Sequence, residues 1–218
     1  NPFGENVTVR SYRPLDAGPR EINVVDTSYR FLLGFRGDWK DWEWETAGFY
    51  TAAETNDSAN RVNATLFQQA VNSTSQSTAY NIFAGGNLSN PNIGDSAPNS
   101  QAVIDSFSQI VRRDSETDLA SIDFKASNYS IFELPAGDVG VAVGVEFRRE
   151  TFEDDRDPLL DTSVPFVDQV TGVTLSNSNA IGSSPTPDSK GSRNVTSAYV
   201  EFIAPLLDSG DQYLELQL

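Results

Sequence analysis

Apolar and polar positions alternate along much of this chain. Successive strand side chains point to opposite faces, so a period of two predicts β-strands. In the clearest run Val139, Val141, Val143, Val145 and Phe147 share one face, while Gly140, Ala142, Gly144, Glu146, Arg148 and Glu150 share the other. Tyr29, Phe31, Leu33 and Phe35 likewise oppose Ser28, Arg30, Gly34 and Arg36, with Leu32 breaking the rule. Trp42 and Trp44 oppose Glu43 and Glu45 at the head of a run reaching Thr51. Shorter alternations set Ala120, Ile122, Phe124 and Ala126 against Ser121, Asp123, Lys125 and Ser127, and Ala198, Val200 and Phe202 against Ser197, Tyr199 and Glu201. The last sets Leu214, Leu216 and Leu218 against Tyr213, Glu215 and Gln217. Six strands are expected, near 24–37, 42–54, 117–128, 138–151, 194–206 and 212–218.

The connections choose among β architectures. Within each pair the turn is short, at 38–41, 134–138 and 208–211; between pairs the chain runs from about 56 to 116 and from about 152 to 193. Compact soluble domains rarely hold structureless loops beyond about 15 residues. Short turns on one side and long loops on the other are the layout of an antiparallel transmembrane β-barrel. A soluble β-sandwich also alternates, so the pattern alone does not separate lipid from a protein core. Trp39, Trp42 and Trp44 beside the first turn suit an interfacial girdle and suit a core cluster under a hairpin equally well. Within the first long loop, Val103, Ile104, Phe107, Ile110 and Val111 repeat at helical spacing, and Leu66, Phe67, Ala70 and Val71 predict a second short helix.

Composition narrows the classes. Among 218 residues, hydrophobic types make up 38%, and the mean hydropathy of -0.37 suits a soluble protein or a barrel. No apolar run approaches the roughly 20 residues of a membrane helix. Cys, Met and His are absent, which removes disulfides, thiolate nucleophiles, His-based triads and conventional zinc sites. Fifteen basic against 31 acidic residues give a net charge of -16, which argues against a nucleic-acid partner. The chain begins at Asn1 without a secretory leader, and the expectation is an internal or processed piece whose export signal lies upstream.

The segments NPFG at Asn1–Gly4, YRPLDAGPRE at Tyr12–Glu21, YRFLLGFRGDW at Tyr29–Trp39 and WEWETAGFY at Trp42–Tyr50 resemble the barrel of TonB-dependent outer-membrane receptors. So do AYNIFAGG at Ala79–Gly86, the stretch Leu134–Pro158, the stretch Ser184–Leu206 and the closing YLELQL. The resemblance implies a barrel of about 22 strands with an N-terminal plug, taking up a scarce nutrient with energy relayed by TonB. The plug, the TonB box and most strands are missing from this sequence, and six strands cannot close a membrane barrel of about eight or more. The expectation is therefore part of a non-enzymatic transporter in the bacterial outer membrane, with lipid, the TonB complex and a small-molecule, glycan or peptide ligand as partners.

Candidate site residues follow. Arg30, Arg36, Glu146, Arg148 and Glu150 would face the barrel lumen and contact a plug; in a sandwich they would be ordinary solvent-facing charges. Tyr80, Phe83 and Phe166, as loop aromatics, would stack on a solute. The acidic run Glu153, Asp154, Asp155, Asp157 and Asp161 reads as a solvated loop, as a Ca²⁺ or other hard-cation site through Asp154, Asp155 and Asp157, or as a catalytic carboxylate pair. It lacks the EF-hand spacing, and no cofactor is otherwise implied. Seven Asn-x-Ser/Thr triplets, at Asn6, Asn56, Asn63, Asn72, Asn87, Asn128 and Asn194, are incidental in a chain so rich in these residues. Two other classes stay open: a soluble all-β surface or adhesion module, and a secreted carbohydrate-active enzyme with paired carboxylates.

Overall fold

The computed structural model describes residues 12–84, 89–90 and 98–218. NPFG at Asn1–Gly4, the Gly85–Gly86 end of AYNIFAGG, and the triplets at Asn6 and Asn87 lie outside the described residues. The chain is mostly antiparallel β, and no described helix is long and apolar enough to cross a membrane. It divides into two compact units.

The second unit, Asp26–Thr55, Ser115–Asp154 and Ser189–Leu218, carries most of a six-stranded sheet. Its strands are β1 (Ile22–Trp39), β2 (Trp42–Val62), β3 (Ser108–Leu134), β4 (Gly137–Arg156), β7 (Ser189–Asp208) and β8 (Tyr213–Gln217), hydrogen-bonded in that order. Residues 22–25, 56–62, 108–114 and 155–156 of these strands belong to the first unit. Lys40, at φ 55°, turns β1 into β2. Gly137, at φ 132°, opens β4, a conformation open to a residue without a Cβ.

Register sorts the side chains. Pairing of β4 with β7 sets Val141 beside Phe202, Val143 beside Val200 and Val145 beside Ala198; on the opposite face Glu146 meets Ser197 and Glu150 meets Arg193. Gly144 pairs with Tyr199, whose ring lies so close that a Cβ on Gly144 would meet Cε1 at 2.1 Å. Between β7 and β8 the register shifts at Pro205–Leu207: Ala204 pairs with Leu216, but Leu207 pairs with Leu214. An inserted residue inverts the alternation, so Leu207 joins the face of Phe202 and Ala204. Pro205, which has no N–H to give a ladder, sits at the bulge where its absence is tolerated.

The first unit, Asn1–Val25, Asn56–Asp114 and Asp155–Asp188, has small cores of its own. Its helices are α1 (Ala64–Asn72), α2 (Gln101–Phe107) and α3 (Pro158–Asp161), and β5 (Phe166–Val167) pairs with β6 (Thr174–Leu175) as a two-stranded ribbon. Asn63 and Ser100 cap α1 and α2, accepting from the Leu66 and Val103 amides, which gives orphan first-turn donors a partner. Phe107, fully buried, is met edge-on by Phe67 and Tyr80 at 5.2 Å each, with Ala70, Val103 and Ile104 around them. Asn179, buried, accepts from the Thr65 amide and hydroxyl at 3.0 and 2.9 Å and donates to the Pro165 carbonyl.

Several boundaries differ from expectation. Strands β2 and β3 extend to Val62 and back to Ser108, and β4 and β7 to Arg156 and Ser189, so the long connections shrink to 63–107 and 157–188. The helix expected to run through Val111 ends at Phe107. Ile110 and Val111 are strand residues, Ile110 exposed and Val111 buried against Ala59, Leu159 and Ala180. Apolar pairs at that spacing satisfy helix and strand alike, and ladder hydrogen bonding decides for the strand. Among the described residues two further short strands, β5 and β6, occur beside the six expected, too short to announce themselves in the sequence.

Candidate functional site

The charged face of the sheet unit is built by odd positions of β2 and β3 and even positions of β1 and β4. Arg148 Nε lies 2.9 Å from Glu150 Oε1 and its Nη1 3.9 Å from Glu146 Oε1. Arg193, brought across by the register, donates from Nε to Glu150 Oε2 at 2.5 Å. Ser121 donates to Glu146 at 3.2 Å. Glu146, Arg148 and Glu150 therefore form one continuous ladder with Arg193 and Ser121. Further along, Lys125 Nζ lies 3.7 Å from Glu45, and the Tyr129 hydroxyl donates to Glu43 at 3.4 Å. Arg36 lines a hollow of about 550 Å³ with Glu43, Glu45 and Lys125. Arg30 takes a different role, its guanidinium 4.9 Å from the Phe49 ring centroid. The ion pairs are partly or largely exposed, so each contributes little to stability. Their combined value is a polar wall in which most charges are paired, though Asp123 Oδ1 and Arg148 Nε are buried without a well-formed hydrogen bond.

The other face is apolar and open: Tyr29, Phe31, Leu33, Phe35, Ile122, Phe124, Val145, Phe147, Val200, Phe202, Leu214 and Leu216 are all exposed. Exposure falls toward the β4 turn, where Val139 is buried and Val141 and Val143 are half-buried, and on β2, where Trp42 and Trp44 are half-buried and Ala52 is buried. At one end of the apolar band Asp118 accepts from the Tyr50 hydroxyl and, at 3.1 Å, from Thr151, tying β2, β3 and β4 together.

The candidate solute aromatics are not gathered into a site. Tyr80 is only 4% exposed and belongs to the core, so its ring is spent on Phe67 and Phe107 and is not offered to a solute. Its hydroxyl donates to Asp16 at 2.5 Å and lies 3.1 Å from that of Tyr12. Burial, then the bond to Asp16, pushes the Tyr80 pKa well above the ordinary tyrosine value. Burial also raises Tyr12. Phe83 is 84% exposed, and Phe166 is half-buried in β5. No ring contact joins either to Tyr80 among the described residues.

The acidic run is divided among local tasks. Asp154 is buried and accepts from Ser115 at 2.6 Å; Asp157 caps α3 through the Leu159 amide; Asp161 accepts from the amide and hydroxyl of Ser163. Asp155 is exposed. Among the described residues no three acidic side chains are grouped to hold a metal ion.

Arg193 and Ser121 were not among the expected site residues. Parity could have placed Arg193 on the face of Tyr199 and Glu201, but its meeting with Glu150 depends on register, which parity does not set. No family model, no curated protein and no solved structure matches the chain.

Proposed function

We propose that this chain is part of an outer-membrane active transporter, a barrel segment that binds a scarce solute and imports it with TonB-relayed energy. The observation that carries the reading is the open apolar face of a sheet whose opposite face is charged. In water, a one-sided antiparallel sheet buries its apolar face in a core. In a bilayer, the same face meets hydrocarbon.

Band lengths support the same reading. The apolar run of β1 from Tyr29 to Trp39 covers 11 residues, that of β2 from Trp42 to Tyr50 covers 9, and that of β4 from Val139 to Phe147 covers 9. A tilted membrane strand needs about 9–11. Strand order without crossovers is that of an up-and-down meander. Trp39, Trp42 and Trp44 stand where headgroups anchor aromatic rings. Under this reading 63–107 and 157–188 are external loops, and Glu146, Arg148, Glu150 and Arg193 face a plug.

The test is the environment of the apolar face. Spin labels at Val141, Val143 and Val145, against Ala142 and Gly144, are read with lipid-soluble and water-soluble relaxants in bilayers. Lipid contact at the odd positions alone is expected. Odd positions shielded from both relaxants would mean a packed protein core, and the soluble surface-module reading would replace this one.

A further inference from the structure

Three arginines line one hollow of the first unit. Arg13, Arg20 and Arg61 share a cavity of about 670 Å³ with Tyr12 and Asn60, and no carboxylate is among the described residues that line it. The chain carries twice as many acidic as basic residues, so three guanidinium groups without an acid among them form an uncompensated positive spot.

Two of the three are held in place. Arg20 Nη2 donates to the carbonyls of Ile181 at 3.0 Å and Gly182 at 3.4 Å. Gly182 has φ +74°, a backbone conformation that favours glycine, and a Cβ there would come within 2.8 Å of that nitrogen and oblige the guanidinium to shift. Arg61 Nη1 donates to the Asn60 carbonyl at 3.3 Å, while its Nε is buried without a hydrogen-bond partner. Burial first, and then the nearby charge of Arg20, lower the Arg61 pKa from its ordinary value; a guanidinium nevertheless stays charged in proteins. Like charges held together cost free energy. An oxyanion between the Arg20 and Arg61 guanidinium groups relieves that repulsion, through charge-assisted bonds to their accessible N–H groups for which the arginine fork is suited.

We propose that this cavity binds a small free solute carrying a carboxylate or phosphate oxyanion, with Arg20 and Arg61 as its donors and Arg13 adding charge at the exposed side. The volume lies in the range of small-molecule sites, roughly 300–1,000 Å³. The proposal deepens the transport reading by naming the charge class of the solute, and it rests on that reading only for the solute's fate.

Titration calorimetry on the full chain in neutral detergent micelles tests it, with citrate and inorganic phosphate as separate probes. Saturable binding of at least one is expected, the stronger of the two telling carboxylate from phosphate. R61Q and R20Q are expected to weaken it roughly 10- to 100-fold, the loss of one or more bonds to a charged group. R112Q, changing an exposed arginine that does not line the cavity, leaves it unaltered. If R61Q disturbs folding, R61K makes the same comparison, keeping the charge but losing the fork. Absence of saturable binding to both probes, or equal loss in R112Q, overturns the proposal. Binding that appears only with phosphatidylglycerol in the micelles, and that neither probe displaces, would assign the arginines to lipid headgroups and also overturn it. Spin labels that find no lipid at the apolar face would remove the transport reading and leave this anion site standing.

Discussion

Leu32 and Leu33 are neighbours on β1 with nearly equal exposure, 64% and 66%, yet they lie on opposite faces of the sheet. Replacing each by arginine therefore separates lipid from water as the medium of the apolar face. Leu33 is six residues from Trp39, about 20 Å along the strand and about 14 Å in depth at a tilt near 45°. That is close to the bilayer midplane, where an arginine on the lipid face costs about 2–4 kcal/mol. Leu32 lies on the side of Arg30 and Arg36, where a further charge is expected to change stability by no more than about 0.5 kcal/mol. The two variants should therefore differ roughly 30- to 1,000-fold in folding equilibrium. Denaturant titration in phosphatidylcholine vesicles reads this directly. All three tryptophans, at 39, 42 and 44, sit beside the first turn and report on that end of the sheet by fluorescence. If L33R and L32R destabilise equally, or if L32R is the worse, the apolar face is not in lipid. Exposure alone predicts equal effects, so a gap between the variants tests the medium itself.

Three further outcomes are expected. G144A should displace the Tyr199 ring, since the new Cβ would fall 2.1 Å from Cε1; an off-rotamer tyrosine costs on the order of 0.5–1.5 kcal/mol, and a double-mutant cycle with Y199A should recover most of it. Y80F removes the donor that serves Asp16 and the partner of Tyr12, and a loss of about 1–3 kcal/mol should appear as faster hydrogen exchange at the Tyr80 amide, which is bonded to the Ala70 carbonyl. The first unit should lose stability in strong alkali. Because the Tyr80 pKa is raised in the folded state, its contribution is complete below the ordinary tyrosine pKa near 10 and is lost as pH climbs above it. Ultraviolet titration of tyrosinate should show a component ionising only on unfolding; a Tyr80 that ionises with the exposed tyrosines would contradict the packing described.

Residue order by itself determined the two faces of the regular runs in the six sheet strands and the places of the short turns. Alternation is a property of consecutive residues, and a polar turn such as Asp38–Asp41 between two alternating runs leaves the hairpin few other ways to close. It also determined α1, whose apolar positions recur at helical spacing behind Asn63. What it left open were relations between distant residues. The bulge at Pro205–Leu207 inverts the alternation, and only pairing with β8 shows which side Leu207 takes. Tyr80 looks like any polar-loop aromatic until Phe67 and Phe107 close on it. Glu150 finds Arg193 43 residues away, and Arg20 finds the carbonyl of Ile181 161 residues away. Such meetings depend on register and on how loops pack, which follow from the summed burial and hydrogen bonding of the whole unit. No local period encodes that sum.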